Sequence, residues 1–160
     1  MAIVKSFLWP DEAATEAFAQ KVARYWQAHP DHGNMVVLLH GDLGAGKTTL
    51  VRHLLRNLGV QGRIKSPTYA VVEHYQTPLL AIWHFDFYRF SDPQEWEDAG
   101  FRDIFASPGL KLAEWPEKAQ GMLPPADWEI TLTTHPDATR EVTVHAATPR
   151  GAHVLQEIST

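Results

Sequence analysis

Gly41, Gly44, Gly46, Lys47 and Thr48 stand in the order G-x-x-x-x-G-K-[ST] within the string HGDLGAGKTT. That spacing suits the holding of a phosphate chain. Glycines at 41, 44 and 46 admit positive φ and close backbone approach, so successive N–H groups, that of Ala45 among them, can converge on phosphate oxygens where a helix begins. Lys47 supplies a point charge between the outer phosphates. The Thr48 hydroxyl is a ligand for Mg²⁺, a hard ion that prefers oxygen and arrives with the phosphates. Thr49 reads two ways, as an α-phosphate contact or as a polar residue on a helix face, and Asp42 and Leu43 read as loop filler. Chance would place this pattern in a chain of this length on the order of once in 200, so the match identifies a nucleotide-binding loop rather than a flexible turn.

Binding is not hydrolysis, which needs further groups. A Mg²⁺-bound triphosphate draws an acid from the end of a neighbouring strand and a residue that orients the attacking water. Asp86 interrupts the apolar stretch AIWHFDFY, where a buried aspartate without a metal or cation would be costly; pairing with Arg89 is the alternative. Glu114 closes LKLAEW in the same manner and could align or deprotonate water, or be an exposed strand-end glutamate. Thr68, in KSPTY, could reach the γ-phosphate or Mg²⁺ from the start of a strand, or be an ordinary strand-start threonine. His84 precedes Asp86 by two and shares its strand face, as a site neighbour or a satisfied core histidine. Trp115 draws interest because it adjoins Glu114. The nine histidines are scattered without a supported His-x-x-x-His pair, so no zinc site is expected.

These residues need elements to hold them. MVVLLH before the loop reads as a short buried strand, and KTTLVRHLLRNLG after it as a helix with Leu50, Val51, Leu54, Leu55 and Leu58 on one face, closed by Gly59. A first helix is predicted over PDEAATEAFAQKVARYWQA, from the recurrence of Ala14, Phe18, Val22 and Tyr25 and from the acids at its start. TYAVVEHY and LLAIWHFDFY are separated only by QTP, too short a link for parallel neighbours, so they form an antiparallel hairpin. A short helix follows around DPQEWEDAG, then a strand at GLKLAEW, then a strand pair at DWEITLTT and REVTVHA. The expected fold is α/β: one P-loop NTPase-like domain over residues 1–160, with a mixed parallel and antiparallel sheet flanked by helices.

The chain carries a net charge of −5 and no cysteine. Thiolate metal sites, disulfides and cysteine nucleophiles are therefore excluded. Most of the acids fall after Phe90, and no clustered basic excess exists to hold nucleic acid by its own field. No run approaches the roughly 18 apolar residues of a membrane span, and the opening MAIVKSFLWPDEAATEA meets proline and acids too early for a signal peptide. A cytoplasmic protein is expected.

Taken in order, GDLGAGKTT, SPTY, HFDFYR, EWPE and GMLPPADWEI resemble the bacterial tRNA threonylcarbamoyladenosine biosynthesis ATPase family, TsaE, formerly called YjeE. The resemblance runs from the loop to about residue 130; the first helix and the last fifteen or so residues carry little of it. It implies an ATPase that acts with TsaB and TsaD in forming N6-threonylcarbamoyladenosine at position 37 of tRNA, resetting the partner complex between cycles and reaching tRNA through it. By motif, Lys47 and Thr48 bind phosphate and Mg²⁺, and Thr68 lies in a switch-like segment. Asp86 with His84, Tyr88 and Arg89 forms a second signature, and Glu114 with Trp115 a third. In this setting Asp86 becomes an acid of the Mg²⁺ shell, and Glu114 a catalytic carboxylate that also faces the metal. Two alternatives remain beside this reading: a small nucleoside or metabolite kinase, against which no basic lid segment is seen, and a nucleotide-gated binding module without essential hydrolysis. A GTP switch is disfavoured because no Asn-Lys-x-Asp string occurs.

Overall fold

A computed structural model describes residues 2–159. At its centre is β2 (Val36–His40), a run of apolar residues buried up to His40. A strand without a polar face must be covered on both sides, and its side chains alternate between two cores. Val37 and Leu39 enter one apolar cluster, Val36 and Leu38 another.

The strands form one seven-stranded sheet in the order β1-β7-β6-β2-β5-β4-β3. β5 (Leu110–Glu114) and β6 (Trp128–Thr134) flank β2, both parallel to it. Beyond β5 lies the parallel β4 (Ala81–Asp86), and β3 (Val72–Gln76) pairs with it as the antiparallel hairpin expected from the short QTP link. On the other side β7 (Arg140–Ala146) runs antiparallel to β6 and takes β1 (Ile3–Trp9) as an antiparallel edge. The mixed α/β sheet matches the sequence reading.

Helix α1 (Glu12–Ala28) starts where the Asp11 carboxylate accepts the Ala14 amide at 3.1 Å, and buries Phe18, Val22 and Trp26. It packs on α2 (Lys47–Asn57), whose Leu50, Val51, Leu54 and Leu55 are buried as the periodicity requires. The opposite face of the sheet is covered by two short helices, α3 (Pro93–Asp98) and α4 (Phe101–Ala106). There Phe85 stacks on Phe105 at 4.6 Å, and Phe105 on Trp96 at 5.5 Å, so aromatic area compensates for short elements. Among the described residues no helix is long and apolar enough to cross a membrane.

One strand and two α-helices have no counterpart in the sequence reading. β1 is half-exposed with Lys5 and Ser6 at its middle, and only its pairing with β7 makes it a strand. α4 continues beyond the one short helix expected in this region, after a left-handed Gly100. α5 (Pro149–Ile158) carries Gly151 in its first turn, which weakens a helical pattern. The reason for that glycine is spatial: a Cβ there would lie 2.3 Å from the Asp127 carbonyl oxygen. One boundary also moves, since Thr68 sits in a turn ahead of β3 rather than at a strand start.

Candidate functional site

The parallel strands β2, β5 and β4 end side by side, with Leu39 opposite Glu114 and Glu114 opposite Asp86 in register. Sheets of this kind present their ligand sites at the carboxyl ends of the strands. The glycine loop leaves β2 at that edge and enters α2 at Lys47, with Gly46 at φ 106°. Gly41 is required by close approach, because a Cβ would meet the Leu132 carbonyl oxygen at 2.8 Å and the Ala45 Cβ at 3.0 Å. The Ala45 methyl is core, and its amide donates to the Asp42 carbonyl at 3.0 Å.

Lys47 is 4% exposed. Its Nζ donates to the Gly41 carbonyl and lies 3.7 Å from the centre of the Trp115 ring. Burial pulls the Lys47 amine below its ordinary pKa, against the opposing pull of Glu114, Glu117, Asp86 and Asp42. Trp115 reaches this position from a left-handed backbone, φ 55°, immediately after β5. Tyr88 packs against it with ring centres 5.0 Å apart.

Glu114 is 2% exposed and both of its oxygens are held. Thr48 Oγ1 donates to Oε1 at 2.8 Å, and His84 Nε2 donates to Oε2 at 2.6 Å. His84 stands behind Glu114 and does not line the cleft; its contact with the site is through the carboxylate. Asp86 Oδ1 accepts the Tyr88 amide at 2.9 Å. Burial raises the Asp86 carboxyl above its ordinary range; the Tyr88 amide opposes this, and the Glu114 charge adds to it. The alternative partner, Arg89, turns instead to the Tyr69 ring, 4.8 Å from its centre.

These groups surround a cleft of about 310 Å³. Gly44, Gly46, Lys47, Thr48 and Thr49 form its floor, while Asp86, Glu114 and Trp115 stand at one end. Thr68 joins the rim, with its hydroxyl 2.8 Å from Ser66 Oγ. Two lining residues were missed or discounted in the sequence: Leu43, 69% exposed at the loop crest, and Arg140 of β7. No local motif marks Arg140; the available signal is that the β6–β7 hairpin carries a cation at a strand end.

The donors facing the cleft are oxygens, from Thr48, Asp86 and Glu114. Among the described residues no group of three or more His, Cys, Asp or Glu is arranged to hold a metal by itself. That combination fits Mg²⁺, which takes one or two protein oxygens and completes its shell with phosphates and water, and does not fit a closed transition-metal site.

A mixed sheet with a glycine loop between its central strand and the following helix defines a P-loop NTPase-like α/β fold. The crystal structure of Bacillus subtilis YdiB shares it, with a TM-score of 0.78 and 25% identity over 99% of this chain and 96% of that one. The family model for threonylcarbamoyl adenosine biosynthesis protein TsaE matches residues 9–142, and the chain belongs to the TsaE family. Among its relatives is the tRNA threonylcarbamoyladenosine biosynthesis protein TsaE of Haemophilus influenzae, 42% identical over 94% of both chains. The protein of the same name from Bacillus subtilis is 34% identical over 94% of this chain and 89% of its own length.

Proposed function

We propose that this protein serves tRNA N6-threonylcarbamoyladenosine formation as a cytoplasmic, Mg²⁺-dependent ATPase that acts with TsaB and TsaD and resets their complex between catalytic cycles. Family membership supports the pathway. The observation that carries the ATPase reading is Glu114, a buried carboxylate suspended between Thr48 at the start of α2 and His84 behind it.

In this reading the loop amides and Lys47 hold the phosphates of ATP, and Trp115 keeps bulk water from the lysine. Thr48, Asp86 and Glu114 are the residues that would hold Mg²⁺; when bound, the ion neutralises charge on the phosphate oxygens. Once the Thr48 hydroxyl turns away, Glu114 Oε1 can accept a proton from the attacking water while His84 still fixes Oε2. Lys47 is the buried cation of a site that also holds two carboxylates, so turnover alone is slow. A cation supplied by a docked partner typically adds about 10³ to 10⁵ in rate. The chain reaches tRNA through TsaB–TsaD, in keeping with its net charge of −5.

The test is phosphate release and tRNA modification measured with and without TsaB and TsaD. Turnover is expected to rise when the partners are added. Equal turnover in both conditions would overturn partner-dependent hydrolysis.

A further inference from the structure

The His84 ring stands between two spaces. Nε2 donates to Glu114 Oε2 at 2.6 Å, and Glu114 lines the cleft. The far edge of the ring faces a second, much smaller chamber of about 10 Å³, walled by Val51 of α2 and by Ile64, with the exposed Ser66 at its mouth. Thr48 lines both spaces.

His84 is buried, and its Nδ1 has no hydrogen-bond partner among the described residues. With Nε2–H committed to Glu114, Nδ1 of the neutral ring carries the lone pair and needs a donor. A buried acceptor left without one is costly, and water removes that cost where a polar space is large enough to admit it. The chamber meets both conditions: about 10 Å³ holds one water molecule, and the hydroxyl-bearing Thr48 and Ser66 supply further partners. It is too small for a phosphate or a hydrated metal ion.

Ser66 is fixed at this mouth by its neighbours. The Lys65 amide donates to the Tyr75 hydroxyl at 3.1 Å, and that hydroxyl donates to the Lys65 carbonyl at 3.3 Å. On the other flank Pro67 is buried, and its carbonyl accepts the Val71 amide. Between these anchors Ser66 Oγ is hydrogen-bonded to Thr68 Oγ1 at 2.8 Å, so one short segment meets the chamber through Ser66 and the cleft through Thr68.

We propose that one ordered water occupies the chamber, donating to His84 Nδ1 and hydrogen-bonded to Ser66 Oγ, which makes Ser66 a positioning residue for Glu114. The water holds the lone pair on Nδ1 and so keeps the proton on Nε2, where it meets the carboxylate. Ser66 keeps the water in place. The support runs from Ser66 through water and His84 to Glu114, and it reaches the carboxylate from the side away from the cleft. Its effect on rate rests on the ATPase reading given above; the water itself does not.

A high-resolution crystal structure, nitrogen NMR of the His84 ring and ATP hydrolysis with the partners, each for wild type, Ser66→Ala and Ser66→Thr, test it. Wild type is expected to show the water within hydrogen-bond reach of Nδ1 and Ser66 Oγ, and one ring tautomer with the proton on Nε2. Ser66→Ala should lower kcat about threefold to tenfold, the worth of one neutral hydrogen bond, leave KM for ATP unchanged and populate the second tautomer. Ser66→Thr keeps the hydroxyl and should restore both. Ser66 is exposed, so both variants should fold, with melting curves as the check. No water at Nδ1, wild-type kcat and ring signals in Ser66→Ala, or a loss that Ser66→Thr does not rescue would overturn it. The ATPase reading fails differently: wild type would release no phosphate with its partners present, while the water and the ring tautomer would still be read directly.

Discussion

Replacing Glu114 with glutamine removes the charge and keeps the shape. At 2% exposure the side chain has no room to move, and its two donors are Thr48 at 2.8 Å and His84 at 2.6 Å. The amide oxygen can still accept from His84 Nε2, and the amide NH₂ can donate to Thr48 Oγ1, since a hydroxyl both gives and accepts. A hydrogen bond to a charged group is worth about 1 kcal/mol more than a neutral one, so two such losses amount to about 2 kcal/mol. Relief from burying a carboxylate offsets part of this. Glu114→Gln should therefore melt within about 8 °C of wild type and still bind Mg²⁺-ATP. Its hydrolysis should fall by about 10²- to 10⁴-fold, the usual value of a positioned general base. Melting curves, ATP titration and phosphate release in the presence of the partners measure the three quantities separately. A fall in hydrolysis of less than about tenfold would refute the assignment of Glu114 as the base. Glu114→Ala is the coarser perturbation, because it strands the Thr48 and His84 donors and mixes folding with catalysis.

Lys47→Ala should abolish the thermal stabilisation by Mg²⁺-ATP, which in wild type is about 2.7 kcal/mol at 100 times the dissociation constant; a retained shift removes Lys47 from the phosphate site. Burial holds the Asp86 carboxyl above its ordinary 3.8, so the folded state binds this proton more readily than the unfolded chain, and Asp86 opposes folding as pH rises through its folded value. Asp86→Asn should then leave the ligand-free melting temperature at neutral pH unchanged or higher, weaken Mg²⁺-nucleotide binding, and remove the part of that affinity lost on acidification; lower stability with unchanged affinity would contradict this. Gly41→Ala should destabilise by about 1–3 kcal/mol in urea unfolding, because the Leu132 carbonyl it would strike belongs to β6 and cannot yield as a flexible side chain could.

What the sequence made legible was contiguous. The glycine loop and α2 form one uninterrupted string, and Asp86 and Glu114 stand out because each carboxylate ends an apolar run. Their proximity also follows once β4 and β5 are taken as parallel neighbours. The register across those strands could not be read, and it is the register that aims His84 at Glu114 instead of at the cleft. Arg140 lies 96 positions after Gly44, so its approach to the loop depends on β6 pairing with β2 and β7 pairing with β6. β1 shows the same limit from the other side: its middle is polar, and nothing local distinguishes it from a loop until β7 supplies a partner. Thr68 was placed one element too late for a related reason. The turn before β3 is closed by the Val71 amide donating to the Pro67 carbonyl at 2.6 Å, with Val71 at φ 69°, a conformation a β-branched residue rarely takes and composition does not announce.

On the proposed ATPase reading, the way Glu114 is held also locates the control of its chemistry. A general base needs a lone pair directed at the proton it takes, and both carboxylate oxygens are engaged in this structure. Its two partners differ in what they can do. His84 is 1% exposed within β4, and that burial leaves its ring little freedom to withdraw. Thr48 is half-buried at the start of α2, and its hydroxyl changes partner by rotation about a single bond. The permanent constraint and the releasable one thus sit on opposite oxygens of the same carboxylate. In the proposed reading, His84 fixes where the base points, and Thr48 decides when an oxygen is free. Because Thr48 is also the loop residue suited to a phosphate-borne cation, filling the cradle and releasing the base draw on the same hydroxyl. In that reading the Thr48 hydrogen bond keeps the buried carboxylate partnered and ties the availability of Oε1 to the rotation of one hydroxyl.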